Sequence, residues 1–313
     1  MSKPSEIYKK VKPAVVAIVS KLSKNPDFPD IIGTGFIVHE DGIIITNNHV
    51  IKAIETLPRR KEDPGAIPIR VILFHNIPNE GMALIPLEVE AFTTSKIEKA
   101  VDGAVNYGED IPDVGAIYVK AKGLPFVEIE ETLTVEEGDN VLISGFPMGT
   151  NTLRTNRGWI HRLTPVLQKG IVSAILPFVC ENPHEIWVEA VTHGGSSGSP
   201  IFNPENGKVV AILWGGFSES KMLANTETGQ PIVYQKSTSI TCALPSPLLS
   251  LMYKKILKPT DPDTGKEVVR DVRSYQTLKQ IATTYKRFLH TPKQINQQGV
   301  EPLHINDIIE PEK

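Results

Sequence analysis

The chain of 313 residues is long enough for one large domain or two ordinary ones, and its 40% hydrophobic and 22% charged residues are typical of a soluble globular protein. These proportions exclude a disordered or fibrous protein. The formal net charge of -3, without a long basic stripe, excludes a dedicated nucleic-acid binder.

The N-terminal segment predicts a cytoplasmic protein with no membrane insertion. Its apolar run, Ala14 to Val19, is too short for the core of a signal peptide or for a membrane span. Cys180 and Cys242 are too few for a disulfide framework, and a reducing compartment would keep both as thiols. A chain from which a signal peptide had been removed would show the same N-terminus.

Short β-branched runs separated by Gly, Pro, Asn and Asp clusters extend from Ala14 to about Ile240 and predict antiparallel strands. Many strands with few helical segments between them favour barrels or sandwiches over a parallel sheet. Two longer connections, Pro58 to Pro68 and Thr94 to Pro112, are rich in charge, Gly and Pro and predict surface loops. The candidate strands are AVVAIVS, TGFIV, GIIIT, IRVILF, LEVEAF, GAIYVK, NVLISG, GIVSAIL, EIWVEA, KVVAILW and IVYQKS.

After about Pro245 the apolar residues recur at helical spacing. SPLLSLMYKKILK and SYQTLKQIATTYKRFLH predict helices, with Ser246 and Ser274 as N-caps. We therefore expect residues 246–313 to form a helical extension. Three roles are open for it: docking a protein partner, self-association, and capping the preceding domain.

The segment THGGSSGSP, residues 192–200, carries a candidate nucleophile. A serine hydroxyl serves acyl transfer when a tight Gly-rich turn exposes it and aims backbone N–H groups at the developing oxyanion. If Ser197 attacks, the N–H groups of Gly195 and Ser197 would form this oxyanion hole. The alternative is an ordinary flexible Gly/Ser loop on the surface.

A second alternative arises because GGSSG also fits the nucleophile elbow of α/β-hydrolases, with Ser196 attacking. That elbow must lead into a helix, whereas the following SPIFNPENG predicts a strand and a turn. The histidine would also have to follow the nucleophile, where only His290 and His304 are available. Both requirements disfavour the elbow.

His49 is the candidate general base. It ends GTGFIVHEDGIIITNNHV, a predicted hairpin of two apolar strands, and a strand end is a rigid mount for a base. Asp113, directly before the apolar strand VGAIYV, is the candidate carboxylate that accepts from the imidazole N–H and fixes its tautomer. Glu109 and Asp110 remain competitors for this role.

Together these segments resemble trypsin-like serine proteases of the HtrA and glutamyl-endopeptidase branches, over roughly residues 11 to 240. The order His49, Asp113, Ser197 is that of the chymotrypsin-fold enzymes, whereas subtilisins and α/β-hydrolases use other orders. The resembling segments are VKPAVVAIV, GTGFIVHEDGIIITNNHVI, PDVGAIYVK, GDNVLISGFPMGT, GIVSAI and GGSSGSPIFN.

The resemblance implies an all-β, chymotrypsin-like fold with two six-stranded antiparallel β-barrels. The protease domain would occupy residues 1–245, with the barrels at about 11–120 and 121–245, and the C-terminal helical extension would follow. The catalytic residues would meet in the cleft between the barrels. Because the remaining residues predict helices, we expect none of the PDZ domains that HtrA proteins usually carry after the protease.

The resemblance also implies where the substrate pocket lies. Val191, six residues before Ser197, falls at the expected base, and an apolar base offers no charge to a Lys or Arg side chain. Leu213 replaces the histidine of the HWGG segment in glutamyl endopeptidases, which argues against glutamate specificity. We therefore expect a preference for small or aliphatic P1 residues. The predicted pocket residues are Val191, His193, Leu213, Trp214 and Gly215.

No metal or cofactor is expected. Cys180, His184 and His193 lack the four closely paired ligands of a structural zinc site. Phosphate-binding loops of the GxxxxGK[ST] type, or GxGxxG after a strand, are absent from the sequence. The other conceivable role for His193 is an exposed loop residue.

The sequence thus predicts a serine endopeptidase that hydrolyses protein or peptide substrates through a Ser-His-Asp triad and an acyl-enzyme. The alternative is a protease-fold scaffold that binds protein partners without turnover. The presence of all three triad residues and the oxyanion turn argues against the scaffold.

Overall fold

The computed structural model describes residues 3–22, 30–59, 61, 63–77, 81–94, 112–147, 149, 154–155, 158–159, 164–178, 183–224, 231–258 and 267–284. Within these ranges, no helix has the length and apolar character needed to cross a membrane. Several residues discussed above lie outside them, so the structure does not bear on their predicted roles. They are Glu109, Asp110, Cys180, His290, His304 and nearly all of the connection from Thr94 to Pro112.

Strands dominate the described residues. Their sequences are rich in β-branched residues, as in VVAIVS of the first strand, because such side chains pack well on a pleated sheet. In chain order the strands are β1 (Val15–Ser20), β2 (Ile31–His39), β3 (Ile43–Thr46), β4 (Ile69–Ile77), β5 (Gly81–Leu87), β6 (Val89–Thr94), β7 (Gly115–Val119), β8 (Ala121–Lys122), β9 (Asn140–Gly145), β10 (Arg154–Thr155), β11 (Gly158–Trp159), β12 (Val166–Leu176), β13 (Glu185–Glu189), β14 (Pro200–Phe202), β15 (Val209–Ala224), β16 (Pro231–Pro245) and β17 (Gln276–Thr277).

The N-terminal part of the chain forms one curled sheet in the order β5-β4-β1-β2-β3-β7-β6. Only Glu88 separates β5 from β6, so one bent segment forms both outer strands. The Glu88 carbonyl accepts a hydrogen bond from the Lys120 N–H (2.9 Å), which extends the pairing of β6 with β7 to the bend. With this segment counted as a single strand, the sheet matches the first predicted six-stranded barrel.

The second sheet is a closed barrel of six strands in the order β12-β13-β16-β15-β14-β9. It has its own apolar core, in which Val141, Val188 and Ala243 are fully buried. A separate and larger apolar cluster fills the first barrel and extends to the packed helices and to second-barrel residues such as Phe202 and Leu244. The prediction of an all-β fold with two barrels is confirmed.

The helices are α1 (Pro4–Val11), α2 (Asn48–Glu55), α3 (Ser246–Leu257) and α4 (Leu278–Thr284), with 3-10 helices at Lys12–Ala14 and Val272–Ser274. Ile7 and Val11 of α1 are buried in the larger cluster. The Tyr8 hydroxyl donates to the Pro165 carbonyl (2.9 Å) just before β12. The N-terminal helix therefore contacts both halves of the protein.

The predicted N-caps of the C-terminal helices are wrong. Ser246 is the first residue inside α3, and its hydroxyl donates to the Thr132 carbonyl (3.3 Å). Ser274 lies in a 3-10 helix, and α4 begins only after β17. Thr277 precedes α4 instead: its hydroxyl accepts from the Gln280 N–H (3.4 Å), while the Gln280 side chain accepts from the Thr277 N–H (2.8 Å). This reciprocal pair is a capping box.

The described part of the C-terminal extension packs on both barrels. Helix α3 lies against β15 and β16 of the second barrel, and its Met252 belongs to the larger apolar cluster. Strand β17 pairs in parallel with β8. Arg270 fastens the segment before β17: it pairs with Glu90 (2.9 Å) and donates to the carbonyls of Asp41 and Val119 (both 2.9 Å). Since only 13% of the Arg270 side chain is exposed, these contacts are largely shielded from water.

The variant Arg270→Gln should lower the free energy of unfolding by roughly 1–3 kcal/mol, because Glu90 and two carbonyls lose a shielded partner. Arg273→Gln is the matched control, since Arg273 is 90% exposed and its ion pair with Asp271 is screened by water. Urea unfolding followed by circular dichroism measures both variants. Equal effects of the two would contradict the anchoring role of Arg270.

Candidate active site

His49 and Asp113 form a close pair at one end of the first barrel. His49 lies in the first turn of α2, just after β3, and its backbone N–H donates to Asp113 Oδ1 (2.8 Å). Its ring Nδ1 lies 2.5 Å from Asp113 Oδ2. A carboxylate only accepts hydrogen bonds, so Nδ1 carries the ring proton and Nε2 is left as the basic nitrogen. The carboxylate is mostly covered, with 15% of the Asp113 side chain exposed.

The pairing of β3 with β7 brings these two residues together. Thr46, the last residue of β3, pairs with Gly115, the first residue of β7, so the residues after one strand lie beside those before the other. The Asn47 side chain donates to the Asp113 carbonyl (2.9 Å) and holds this junction. A Cβ at Gly115 would come within 2.6 Å of Ile51, so only glycine lets α2 pack this closely.

Ser197 lies in a tight turn whose glycines adopt positive φ angles, +94° at Gly195 and +86° at Gly198. The Ser196 N–H donates to the His193 carbonyl (3.0 Å), and the Gly198 N–H donates to the Leu213 carbonyl (3.0 Å). The N–H groups of Gly195 and Ser197 donate to no other described residue. These two donors are therefore free to bind an oxyanion.

The α/β-hydrolase alternative is not supported. Ser196 is only 5% exposed, and the turn leads into strand β14 rather than into a helix. Ser197 is partly exposed. Within the described residues, its hydroxyl makes no hydrogen bond to the His49 imidazole. Such catalytic contacts are often long before substrate binds.

Thr34, in β2, ties the nucleophile turn to the first barrel. It is fully buried, and its N–H donates to the Ser197 carbonyl (2.8 Å) while its hydroxyl donates to the Gly195 carbonyl (2.8 Å). The Thr34 carbonyl accepts from the Thr46 hydroxyl (2.8 Å), three residues before His49. Two hydrogen bonds therefore lead from the end of β3 to the backbone of Ser197.

Sequence reasoning missed Thr34 and Asn47. The available signal was a polar residue between two glycines at the start of an apolar strand, GTGFIV. These glycines are needed for close packing: a Cβ at Gly33 would come within 2.9 Å of Val50, and one at Gly35 within 2.8 Å of Ile44.

The predicted pocket residues differ in their exposure. Val191 is 52% exposed and Trp214 36%, and His193 is exposed as well. At Gly215 a Cβ would meet no atom within 4 Å, so the space above it is open. Leu213 corrects the prediction: it is 2% exposed and belongs to the core of the second barrel, which leaves its side chain unavailable to a substrate. With half of its surface exposed, Val191 does not form the base of a closed pocket.

Strand β15 has an open edge beside these residues. Its pairing with β14 stops at Ile212, which pairs with Pro200, and its pairing with β16 continues to Ala224. Among the described strands, none pairs with the other edge of β15 at Trp214 to Gly216. This edge lies directly after Leu213, whose carbonyl holds the nucleophile turn.

In the described part of the chain, no group of three or more His, Cys, Asp or Glu residues is placed to hold a metal ion. Cys242 of β16 is a free, buried thiol. Burial, together with a smaller effect of the neighbouring Glu185, raises its pKa to about 12. At neutral pH this thiol is therefore neutral and unreactive.

Residues 33–212 match the model of a family described as trypsin-like peptidase domain. A curated relative from Pseudomonas putida (strain W619), a probable periplasmic serine endoprotease DegP-like, is 28% identical over 185 residues, which cover 58% of this chain and 28% of the relative. Serine protease HTRA1 from Xenopus laevis is 27% identical over 214 residues, covering 66% of this chain and 37% of the relative. The chain thus spans well under half the length of these relatives.

Solved structures with a similar chain trace include the serine endoprotease from Yersinia pestis. Its TM-score is 0.47 at 20% identity, and the match covers 82% of this chain and 67% of that one. The HtrA-type protease AlgW with a decapeptide has a TM-score of 0.48 at 19% identity, covering 85% of this chain and 69% of that one.

The relatives from Pseudomonas putida are named as periplasmic proteins, and this finding contradicts the predicted cytoplasmic location. The prediction took the shortness of the apolar run near the N-terminus as a sign of the compartment, and this premise is wrong. The apolar run from Ala14 to Val19 ends a 3-10 helix and forms most of β1 in the core of the first barrel. Its length reflects the strand that it builds and carries no information about the compartment.

The variant Gly195→Ala should slow labelling by a serine-directed fluorophosphonate about 100-fold or more, because it distorts the oxyanion turn. Its Cβ would lie 2.5 Å from the Phe146 carbonyl oxygen, at a φ angle that side chains rarely adopt. Gly194→Ala is the matched control, since a Cβ there meets no atom within 4 Å, and it should label at nearly the wild-type rate. Gel fluorescence measures the labelling rates of both variants. Comparable rates would contradict the oxyanion assignment.

Proposed function

Since the chain belongs to the trypsin-like peptidase domain family, we propose that it is a serine endopeptidase. Ser197 is the nucleophile, His49 the general base and Asp113 the residue that orients the histidine. The observation that carries this proposal is the double contact of Asp113, which accepts from both the backbone and the ring of His49. It supports a single orientation and tautomer of the imidazole, with Nε2 free to take a proton.

In the proposed reaction, Ser197 Oγ attacks the carbonyl carbon of the scissile peptide bond while His49 Nε2 takes the hydroxyl proton. The carbonyl oxygen becomes an oxyanion and receives hydrogen bonds from the Gly195 and Ser197 N–H groups. When the C–N bond breaks, His49 gives its proton to the leaving amine and an acyl-enzyme remains. Water then attacks the ester, with His49 as base, and releases the second product and the Ser197 hydroxyl.

The electrostatic arrangement supports this cycle. When Nε2 takes the proton, the ring becomes a cation, and the Asp113 carboxylate beside Nδ1 stabilises that charge. The Gly195 and Ser197 N–H groups of the turn can donate hydrogen bonds to the negative charge that develops on the substrate oxygen. Removal of one such donor typically costs about 10²- to 10³-fold in kcat.

Substrates are proteins or peptides, and we expect them to add as an extended strand to the open edge of β15. Backbone hydrogen bonds along this edge would hold a peptide irrespective of its sequence. Trp214, 36% exposed, lies on this edge, and the half-exposed Val191 precedes Thr192, whose hydroxyl oxygen would lie 2.9 Å from a Cβ at Gly216. These apolar side chains favour a small or aliphatic P1 residue over a charged one.

The domain boundary also belongs to this proposal. Residues 1–245 carry the barrels, at about 11–120 and 121–245, and residues 246–313 form the extension. The contacts of α3 and Arg270 with the first barrel support a stabilising role for the extension within the protease domain. We expect a protein partner to bind the described surface of the extension that these contacts leave uncovered.

One observation favours a second candidate, a protease-fold scaffold that binds protein partners without turnover. It is the missing hydrogen bond between the Ser197 hydroxyl and His49 in the described structure. A scaffold would keep the fold and the turn and would not react with substrates or with serine-directed probes.

We expect Ser197→Ala to abolish fluorophosphonate labelling and to lower cleavage of a peptide library by at least about 10³-fold, because triad members act as a unit. Ser196→Ala is the matched control: this neighbouring serine is buried, and its loss should leave labelling and cleavage nearly unchanged. The cleaved positions also report the P1 preference. A folded wild-type chain that neither labels nor cleaves would favour the scaffold, and labelling of Ser197→Ala would overturn the nucleophile assignment.

A further inference from the structure

We propose that Thr34 is a positioning residue that keeps the two oxyanion donors of the nucleophile turn aimed at the substrate. This inference rests on the proposed function. The Thr34 hydroxyl lies in β2 of the first barrel, donates to the Gly195 carbonyl (2.8 Å) and accepts from the Phe146 N–H (3.1 Å). It therefore joins the turn, the first barrel and the end of β9 in the second barrel.

In two peptide units of the turn, both the carbonyl and the N–H are hydrogen-bonded, and one further unit lies between these two. In the unit between Gly195 and Ser196, the carbonyl is bound by the Thr34 hydroxyl and the N–H by the His193 carbonyl. In the unit between Ser197 and Gly198, the carbonyl is bound by the Thr34 N–H and the N–H by the Leu213 carbonyl. Thr34 supplies one of the two bonds in each unit.

The two donors of the oxyanion hole lie in the peptide units between these anchored ones. The Gly195 N–H belongs to the unit that precedes the first anchored unit, and the Ser197 N–H lies between the two anchored units. The Ser196 carbonyl, in the same peptide unit as the Ser197 N–H, accepts from the Ser199 N–H (3.0 Å), whereas no described bond holds the unit of the Gly195 N–H. The direction of the Gly195 N–H therefore depends on the anchored unit that follows it, and that of the Ser197 N–H depends on both anchored units and on Ser199. With the Thr34 hydroxyl removed, the Gly195 carbonyl loses its partner, and rotation at the positive-φ Gly195 can turn the donors away.

The surroundings of the hydroxyl are shaped to admit it. A Cβ at Gly145 would come within 1.9 Å of Ser199 Oγ and within 2.9 Å of Thr34 Oγ1, so glycine at the end of β9 leaves room for both hydroxyls. Thr34 is fully buried, and the Phe146 N–H that donates to its hydroxyl is buried as well. Water therefore cannot replace the hydroxyl readily, and its loss leaves unpaired polar groups.

The test compares Thr34→Val, which has the same shape without the hydroxyl, with Thr34→Ser, which retains the hydroxyl. Peptide hydrolysis by the full chain gives kcat and KM. Thr34→Val should lower kcat about 10- to 100-fold with little change in KM, because it impairs oxyanion donors and not substrate binding. Thr34→Ser should restore most of the loss.

Thr46→Val is the matched control for stability. Thr46 is also a fully buried threonine. Its hydroxyl donates to the Thr34 carbonyl and packs beside Gly198, but forms no hydrogen bond with the described residues of the turn. Both valine variants should lower the thermal midpoint, whereas only Thr34→Val should lower kcat strongly. If Thr34→Val does not fold, Thr34→Cys takes its place, since a thiol is a weak donor and should give a smaller loss of the same kind.

The outcomes separate the two levels of the proposal. A wild-type chain that is folded but neither cleaves peptides nor reacts with a fluorophosphonate overturns both the function and the role of Thr34. An active wild type with an unchanged kcat in a folded Thr34→Val overturns the role of Thr34 alone. The same holds if Thr46→Val loses as much kcat as Thr34→Val, because the hydroxyl would then act only through stability.

Discussion

The fully buried Thr34 is the point on which the arrangement of the candidate site depends. Its three polar groups make four hydrogen bonds: two with the nucleophile turn, one with Phe146 and one with Thr46. Buried donors and acceptors are costly to leave unpaired, so this set of bonds holds the turn in one position relative to the first barrel. His49 and Ser197 come from different parts of the chain, and the hydrogen bonds of Thr34 link the segments that carry them.

Close packing around this contact explains several glycines that otherwise look like loop residues. At Gly198 a Cβ would come within 2.1 Å of the Thr34 carbonyl oxygen, and at Gly195 within 2.5 Å of the Phe146 carbonyl oxygen. Both residues also adopt backbone angles that suit glycine. The Gly/Ser composition of the turn thus follows from how closely two barrels approach each other and does not indicate flexibility.

The barrels and the candidate catalytic segments were predictable because local patterns carry them: β-branched runs give the strands, and THGGSSGSP and TNNHV are distinctive in their order. The role of Thr34 was not predictable from local patterns. A threonine in TGFIV has the β propensity of any strand residue. Its partners Gly195 and Phe146 lie 161 and 112 residues away in the sequence. Burial of Leu213 depends likewise on barrel closure. No local sequence pattern within the folded domain indicates the cellular compartment.

The most direct test of the account is a crystal structure of the full chain after reaction with a fluorophosphonate. The account predicts phosphorus bonded to Ser197 Oγ, the phosphonyl oxygen within hydrogen-bond reach of the Gly195 and Ser197 N–H groups, and the Thr34 hydroxyl still on the Gly195 carbonyl. A phosphonylated side chain other than Ser197, or an adduct whose oxygen faces solvent while these N–H groups point elsewhere, would contradict it.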